Sequence, residues 1–152
     1  MEVRRSALVE YPADRMFDLI ERAEDYPSFM PWCKAVTILA RDEDVVSAEI
    51  MVEYHGARFT LATRNPKRRP TFLAVFMERG PFRRFEGEWH VTPLGEAACK
   101  IEFALRYEMG RLAGAVAGQF LDRFANIAVN AFVTRAEILR RGDAAVVAGA
   151  PS

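Results

Sequence analysis

The 152-residue chain carries 21 Lys and Arg against 21 Asp and Glu, and 51% of its residues are apolar. That length suits one domain with a sizeable core, and the hydrophobicity excludes disorder driven by charge. A formal net charge of zero excludes a surface that coats nucleic acid or an anionic membrane as a whole, so any such contact has to be local.

The opening MEVRRSALVEYP has charge and alternation where a signal peptide needs a continuous apolar run, so export is not expected. Glu2 to Tyr11 reads as a first strand. Pro12 follows where a missing N–H costs nothing, and Met16, Phe17, Ile20 and Ala23 then recur at helical spacing over Ala13 to Ala23. In YPSFMPWC, Pro27 and Pro31 prevent a long helix and large apolar groups crowd a short connection. A short second helix fits there.

From Lys34 to Glu108 the period changes to two. The candidate strands are Ala35 to Arg41, Val45 to Tyr54, Arg58 to Arg64, Thr71 to Glu78, Phe82 to Val91 and Ala97 to Glu108. Cys99, Ile101, Phe103, Leu105 and Tyr107 share one face of the last strand while charged residues occupy the other, the pattern of an antiparallel sheet with one dry face. Arg111 to Arg141 lacks proline and predicts a helix of roughly 45 Å, with Leu112, Val116, Phe120, Phe124, Ile127 and Ala131 as its apolar stripe. Gly142 is expected to end it, leaving 142–152 as a flexible tail on a single domain over 1–141.

Leu112 to Val133 is the most apolar stretch, but Gln119, Asp122, Arg123, Asn126 and Asn130 interrupt it, so it is not expected to span a bilayer. Cys33 and Cys99 are too few for a disulfide framework, which favours the cytoplasm, with peripheral contact at the inner membrane allowed. The element order predicts an α+β fold: a curved antiparallel sheet of seven strands wrapped around a long C-terminal helix, with two short helices after the first strand. A lone helix in such a concavity leaves space for a hydrophobic ligand.

SALVEYPADRMFDLI, YPSFMPWC, TRN at Thr63 to Asn65, GPFRRFEGEW, CKIEFALRYE and AFVTRA together resemble the coenzyme Q-binding START-like family of the SRPBCC and polyketide cyclase superfamily. The likeness runs from about Val3 to Arg141 and is nearest to the family's ribosome-association toxins. The resemblance implies a helix-grip fold and a hydrophobic tunnel that takes ubiquinone or a related polyprenyl lipid, as a carrier or chaperone supporting respiration. The carrier is the first expectation; a toxin that binds a ribosomal subunit and blocks subunit joining is the alternative and a polyketide cyclase the third, since fold alone does not settle function.

No catalytic residue is assigned. His55 and His90 lack the neighbours a metal site needs, and no phosphate loop or nucleophile elbow is present. Cys99 falls on the dry face, where an inert thiol is the common case. A cyclase acting by shape would leave only Tyr54, Glu53, Glu88 or Tyr107 as acids or bases.

Most of the aromatic residues are accounted for as core. Phe29, Trp32, Phe76, Phe82, Trp89, Tyr107, Val116, Phe120 and Phe124 are the candidate ligand-binding set, with Tyr107 or the backbone near Gly80 as partners for a polar head. No cofactor is required; ubiquinone or a similar polyprenyl lipid is the expected bound molecule. Gly110, Gly114 and Gly118 lie four apart, and Gly114 with Gly118 form a candidate gate because each glycine weakens a helix by about 1 kcal/mol relative to alanine. Close packing is the alternative for this stripe. Lys67, Arg68 and Arg69 in one loop, and Arg83 and Arg84 in another, are candidate partner contacts if the loops converge, toward ribosomal RNA or anionic lipid rather than DNA.

Overall fold

The computed structural model describes residues 1–111 and 114–148. Seven strands form one antiparallel sheet: β1 (Glu2–Val9), β2 (Cys33–Arg41), β3 (Val45–Tyr54), β4 (Ala57–Arg68), β5 (Phe72–Arg79), β6 (Arg84–Pro93) and β7 (Cys99–Glu108). Their order is β1-β7-β6-β5-β4-β3-β2. Strands β2 to β7 are thus a meander, and β1 closes beside the last strand, with Val9 opposite Cys99 and Glu2 opposite Arg106. The tightest connection is His55–Gly56, both at positive φ (46° and 83°). Such a two-residue turn matches the twist of the strands it joins and pairs Tyr54 with Ala57. Edge strand β2 slips register against β3 twice, between Cys33 and Ala35 and between Ile38 and Ala40.

Helix α1 (Ala13–Glu21) follows Pro12 and buries Met16, Phe17 and Ile20. A 3₁₀ turn over Ala23–Ser28 contains Pro27, and the Tyr26 hydroxyl donates to the Ile20 carbonyl, which ties the turn to the helix. Helix α2 (Ala115–Ala148) packs chiefly over β1 and β7. Its buried face is made largely of small residues, Ala117, Ala125, Ala128 and Ala136, with Leu121 and Val129, so the helix backbone approaches the sheet closely there. Phe120 and Phe132, also buried, extend from the flank of that face and fill the space toward the meander.

Three expectations for the long helix need correction. It begins at Ala115 rather than Arg111, because Gly110 holds a left-handed φ of 74° that turns the chain out of β7 before a helix can start. It does not end at Gly142 but runs on to Ala148, and Asp143, placed in the tail by the sequence pattern, pairs with Arg15 of α1 at 2.8 Å. A Cβ at Gly142 would meet nothing within 4 Å, so this glycine makes no turn and closes no contact. The apolar stripe is also rotated: Val116, Phe124, Ile127 and Ala131 are half-buried at the margins of the face rather than at its centre, and Leu112 lies outside the described residues.

Candidate functional site, an aromatic-lined hollow

Between α2, the 3₁₀ turn and the inner face of the meander lies a hollow of about 60 Å³. Its walls are mainly aromatic. Trp32 stands 5.4 Å, centroid to centroid, from both Phe120 and Phe124, and Trp89 stands 4.4 Å from Phe103 and 5.0 Å from Phe132. The size matters, because an apolar cavity that accepts benzene has roughly 150 Å³. A prenyl chain or a polycyclic molecule does not fit this hollow as it stands.

One part of the wall is polar. Strand β4 points Leu61, Thr63 and Asn65 inward by simple alternation, and all three line the hollow. Thr63 is 2% exposed, Asn65 6% and Trp32 8%. Thr63 Oγ1, Asn65 Oδ1 and Trp32 Nε1 have no hydrogen-bond partner among the described residues. Buried polar atoms are nearly always paired, and here all three unpaired ones face the same small space.

Of the nine sequence-predicted ligand contacts, Trp32, Trp89, Phe120 and Phe124 line the hollow. The other five do not. Phe76 is on the solvent face, between Arg64 and Glu86 of the neighbouring strands, because Leu73 and the half-buried Val75 take the inward positions of β5. Phe29 packs at the periphery against Tyr26, with Arg135 5.5 Å from its ring. Phe82 is buried against Phe59 and Phe85 and borders an open surface groove with Gly80 and Gly110. Val116 is half-buried on the first turn of α2.

Tyr107 is buried at the contact between β7 and α2, where its hydroxyl donates to Asp122 Oδ1 at 2.6 Å. Burial, the hydrogen bond and the Asp122 charge push its pKa up to about 12. That hydroxyl is committed to the helix, and the backbone at Gly80 opens on the surface groove, so neither candidate head-group partner reaches the hollow. Thr63 and Asn65, which do reach it, were legible only as inward positions in the parity of Leu61. Phe85, Phe103 and Phe132 also line it, although the sequence pattern assigned them to ordinary core.

The glycine stripe divides. Gly110 and Gly114 precede α2, and only Gly118 is within it. Gly114 offers its carbonyl to the Gly118 N–H at 3.0 Å, while a Cβ on Gly118 would come within 2.5 Å of Met109 Cε. Gly118 therefore faces the tip of the Met109 side chain, in the connection between β7 and α2.

The two basic loops do not converge. Lys67, Arg68 and Arg69 are at the β4–β5 connection and Arg83 and Arg84 at the β5–β6 connection, so the length of β5, roughly 25 Å for eight residues, separates them. Most of these cations are paired within the chain. Lys67 meets Glu21 at 2.6 Å, where both side chains are nearly buried. Arg69 pairs with Asp18, Arg83 with Glu108 at 3.3 Å and Arg84 with Glu86 at 2.9 Å. Arg68 alone of the five has no ion-pair partner among the described residues.

The remaining reactive groups are separate from one another. Cys33 and Cys99 are buried free thiols, and burial pushes Cys33 up to about 12 and Cys99 in the same direction. Glu53 is held by Arg58 and Glu88 faces His90, away from the hollow. Among the described residues no three His, Cys, Asp or Glu cluster as a metal site would require, and no helix is long and apolar enough to cross a membrane.

A curved antiparallel sheet gripping a C-terminal helix around an aromatic-lined interior is the helix-grip architecture of START-like proteins. The chain belongs to the family described as polyketide cyclase/dehydrase and lipid transport, whose model matches residues 9–133. It is 37% identical over 138 residues to the ribosome association toxin RatA of Pseudomonas aeruginosa, covering 90% of this chain and 96% of that protein. Solved structures that share the fold include an aromatase/cyclase and a START superfamily protein. The Zhui aromatase/cyclase from Streptomyces sp. R1128 superimposes with a TM-score of 0.79 at 21% identity, covering 90% of this chain and 93% of that one. A START superfamily protein from Mycobacterium smegmatis gives 0.78 at 20% identity, covering 91% and 98%.

Proposed function

We propose that this protein acts by binding rather than by bond chemistry, and that its principal activity is association with a ribosomal subunit that prevents subunit joining. The observation that carries this is the near full-length likeness to RatA. The size of the interior, about 60 Å³, weighs against the competing roles, since both a lipid carrier and a polyketide cyclase have to enclose far more. The polar side chains that reach the hollow with free hydrogen-bonding atoms are Trp, Thr and Asn, none of which titrates near neutral pH to serve as an acid or base.

The test is sedimentation. Purified protein added to dissociated subunits under conditions that favour joining should lower the joined-ribosome peak in proportion to its concentration and co-sediment with one subunit. An unchanged profile, with the protein remaining at the top of the gradient, rejects the proposal.

A second role, carriage of ubiquinone or another polyprenyl lipid in support of respiration, is favoured by the aromatic lining. It requires α2 to move away from the sheet, because each isoprene unit needs volume that the closed hollow lacks. A quinone identified by mass spectrometry in lipid extracted from the purified protein would favour it.

A further inference from the structure

The hollow has a polar pole that ribosome association does not use. Trp32 enters from the segment before β2, and Thr63 and Asn65 are alternate residues of β4. We infer that these three side chains form a recognition point for the polar head of a small neutral ligand, one whose hydroxyl both donates and accepts hydrogen bonds, such as a phenol.

The donor and acceptor inventory sets the chemistry. The Trp32 indole N–H only donates, Asn65 Oδ1 only accepts, and the Thr63 hydroxyl does either. A single hydroxyl satisfies the first two together, accepting from Trp32 and donating to Asn65, and the Thr63 hydroxyl can donate to the lone pair that remains. A pure acceptor such as an ether leaves Asn65 Oδ1 unpaired, and an alkane leaves all three atoms so.

Charge is excluded by the same wall. No carboxylate, ammonium or guanidinium lines the hollow, and the one other hydroxyl there, that of Tyr26, is already spent on the Ile20 carbonyl. An ion would enter without a counter-charge, which an apolar interior penalises heavily. The rest of the lining supplies ring faces, so the body of the ligand is apolar and flat. Tyr26 and Phe124 are the half-buried rings of the wall; Tyr26 is tied to the Ile20 carbonyl, whereas Phe124 is held only by ring contacts, with Trp32, Phe85 and Phe103 in range. A ligand larger than the closed volume is therefore admitted by displacing the Phe124 ring first.

Phenol and toluene, equal in size and differing by one hydroxyl, are the probes. Each is titrated into the full chain while the Trp32 indole N–H resonance is followed by NMR, assigned through Trp32→Phe. The titration is repeated in Phe124→Ala, so that a hollow too tight for a ring does not hide the result. Phenol should shift the Trp32 signal saturably and bind at least tenfold more tightly than toluene in at least one of the two backgrounds. Asn65→Leu should remove most of that preference, and Thr63→Val, a change of equal volume, should reduce it, neither weakening toluene. If phenol leaves Trp32 unmoved in both backgrounds, binds no better than toluene, or keeps its full advantage in a folded Asn65→Leu protein, the inference is overturned.

Discussion

Replacing Thr63 by valine should stabilise the free protein. The side chain is 2% exposed and its hydroxyl has no partner among the described residues, so the native state holds a polar group stripped of water without compensation. That condition costs about 1 to 3 kcal/mol, and a methyl group of the same volume abolishes it. Taking the lower half of that range, Thr63→Val gains about 1 to 2 kcal/mol. For a chain of this length a gain of that size raises Tm by about 2 to 8 °C. Urea denaturation followed by circular dichroism, with the slope unchanged, measures the free energy, and a thermal melt gives the second figure. A loss of about 1 kcal/mol or more would refute the reasoning, since it would mean that the hydroxyl is well paired in the native state. A gain would mean that the wild-type chain keeps a destabilising group at this point, as recognition sites commonly do.

Two further outcomes follow from the charges around α1. Arg41 bonds Glu24 at 2.6 and 2.7 Å and holds its carboxyl at about 2 instead of the usual 4.5. Because the folded value is the lower one, this pair contributes fully above pH 4.5 and the contribution is lost as pH falls toward about 2; Arg41→Gln should flatten the stability profile across that window, measured as the urea midpoint against pH. Lys67→Met leaves the nearly buried Glu21 carboxylate with Arg41 alone, at 3.1 Å, and should cost about 2 kcal/mol, whereas Arg68→Met should change stability by less than about 0.5 kcal/mol. Equal losses from the two substitutions, in parallel denaturation curves, would contradict the assigned ion pairing.

What the sequence disclosed depended on how local each determinant was. Strand β3 matches its expected span from Val45 to Tyr54 because turn-forming residues bracket it, Asp42 to Asp44 on one side and His55–Gly56 on the other. The start of α2 was misplaced because an apolar pattern extends back to Leu112, and a periodicity carries no information about the left-handed φ of Gly110. Phe76 was drawn into the candidate site by its aromatic character, yet parity with Leu73 and Val75 decides the face of β5. Thr63 and Asn65 are the reverse case, polar residues whose inward direction is apparent only once Leu61 fixes the phase of β4. The pairing of Lys67 with Glu21 spans 46 residues and follows from how α1 sits on the sheet, which no spacing in the chain encodes. Charge that looked available for a partner is thereby consumed within the fold.

The two register slips in β2 have a bearing on how the molecule behaves when crowded. A neighbouring polypeptide adding to this border would need an unbroken run of amides and carbonyls in step, and the cadence fails twice within nine residues. Exposed Lys34 near its start adds repulsion between like copies. Interrupted, charged borders of this kind resist the edge-to-edge accretion that leads to aggregates, so the irregular geometry of one strand helps keep separate molecules separate.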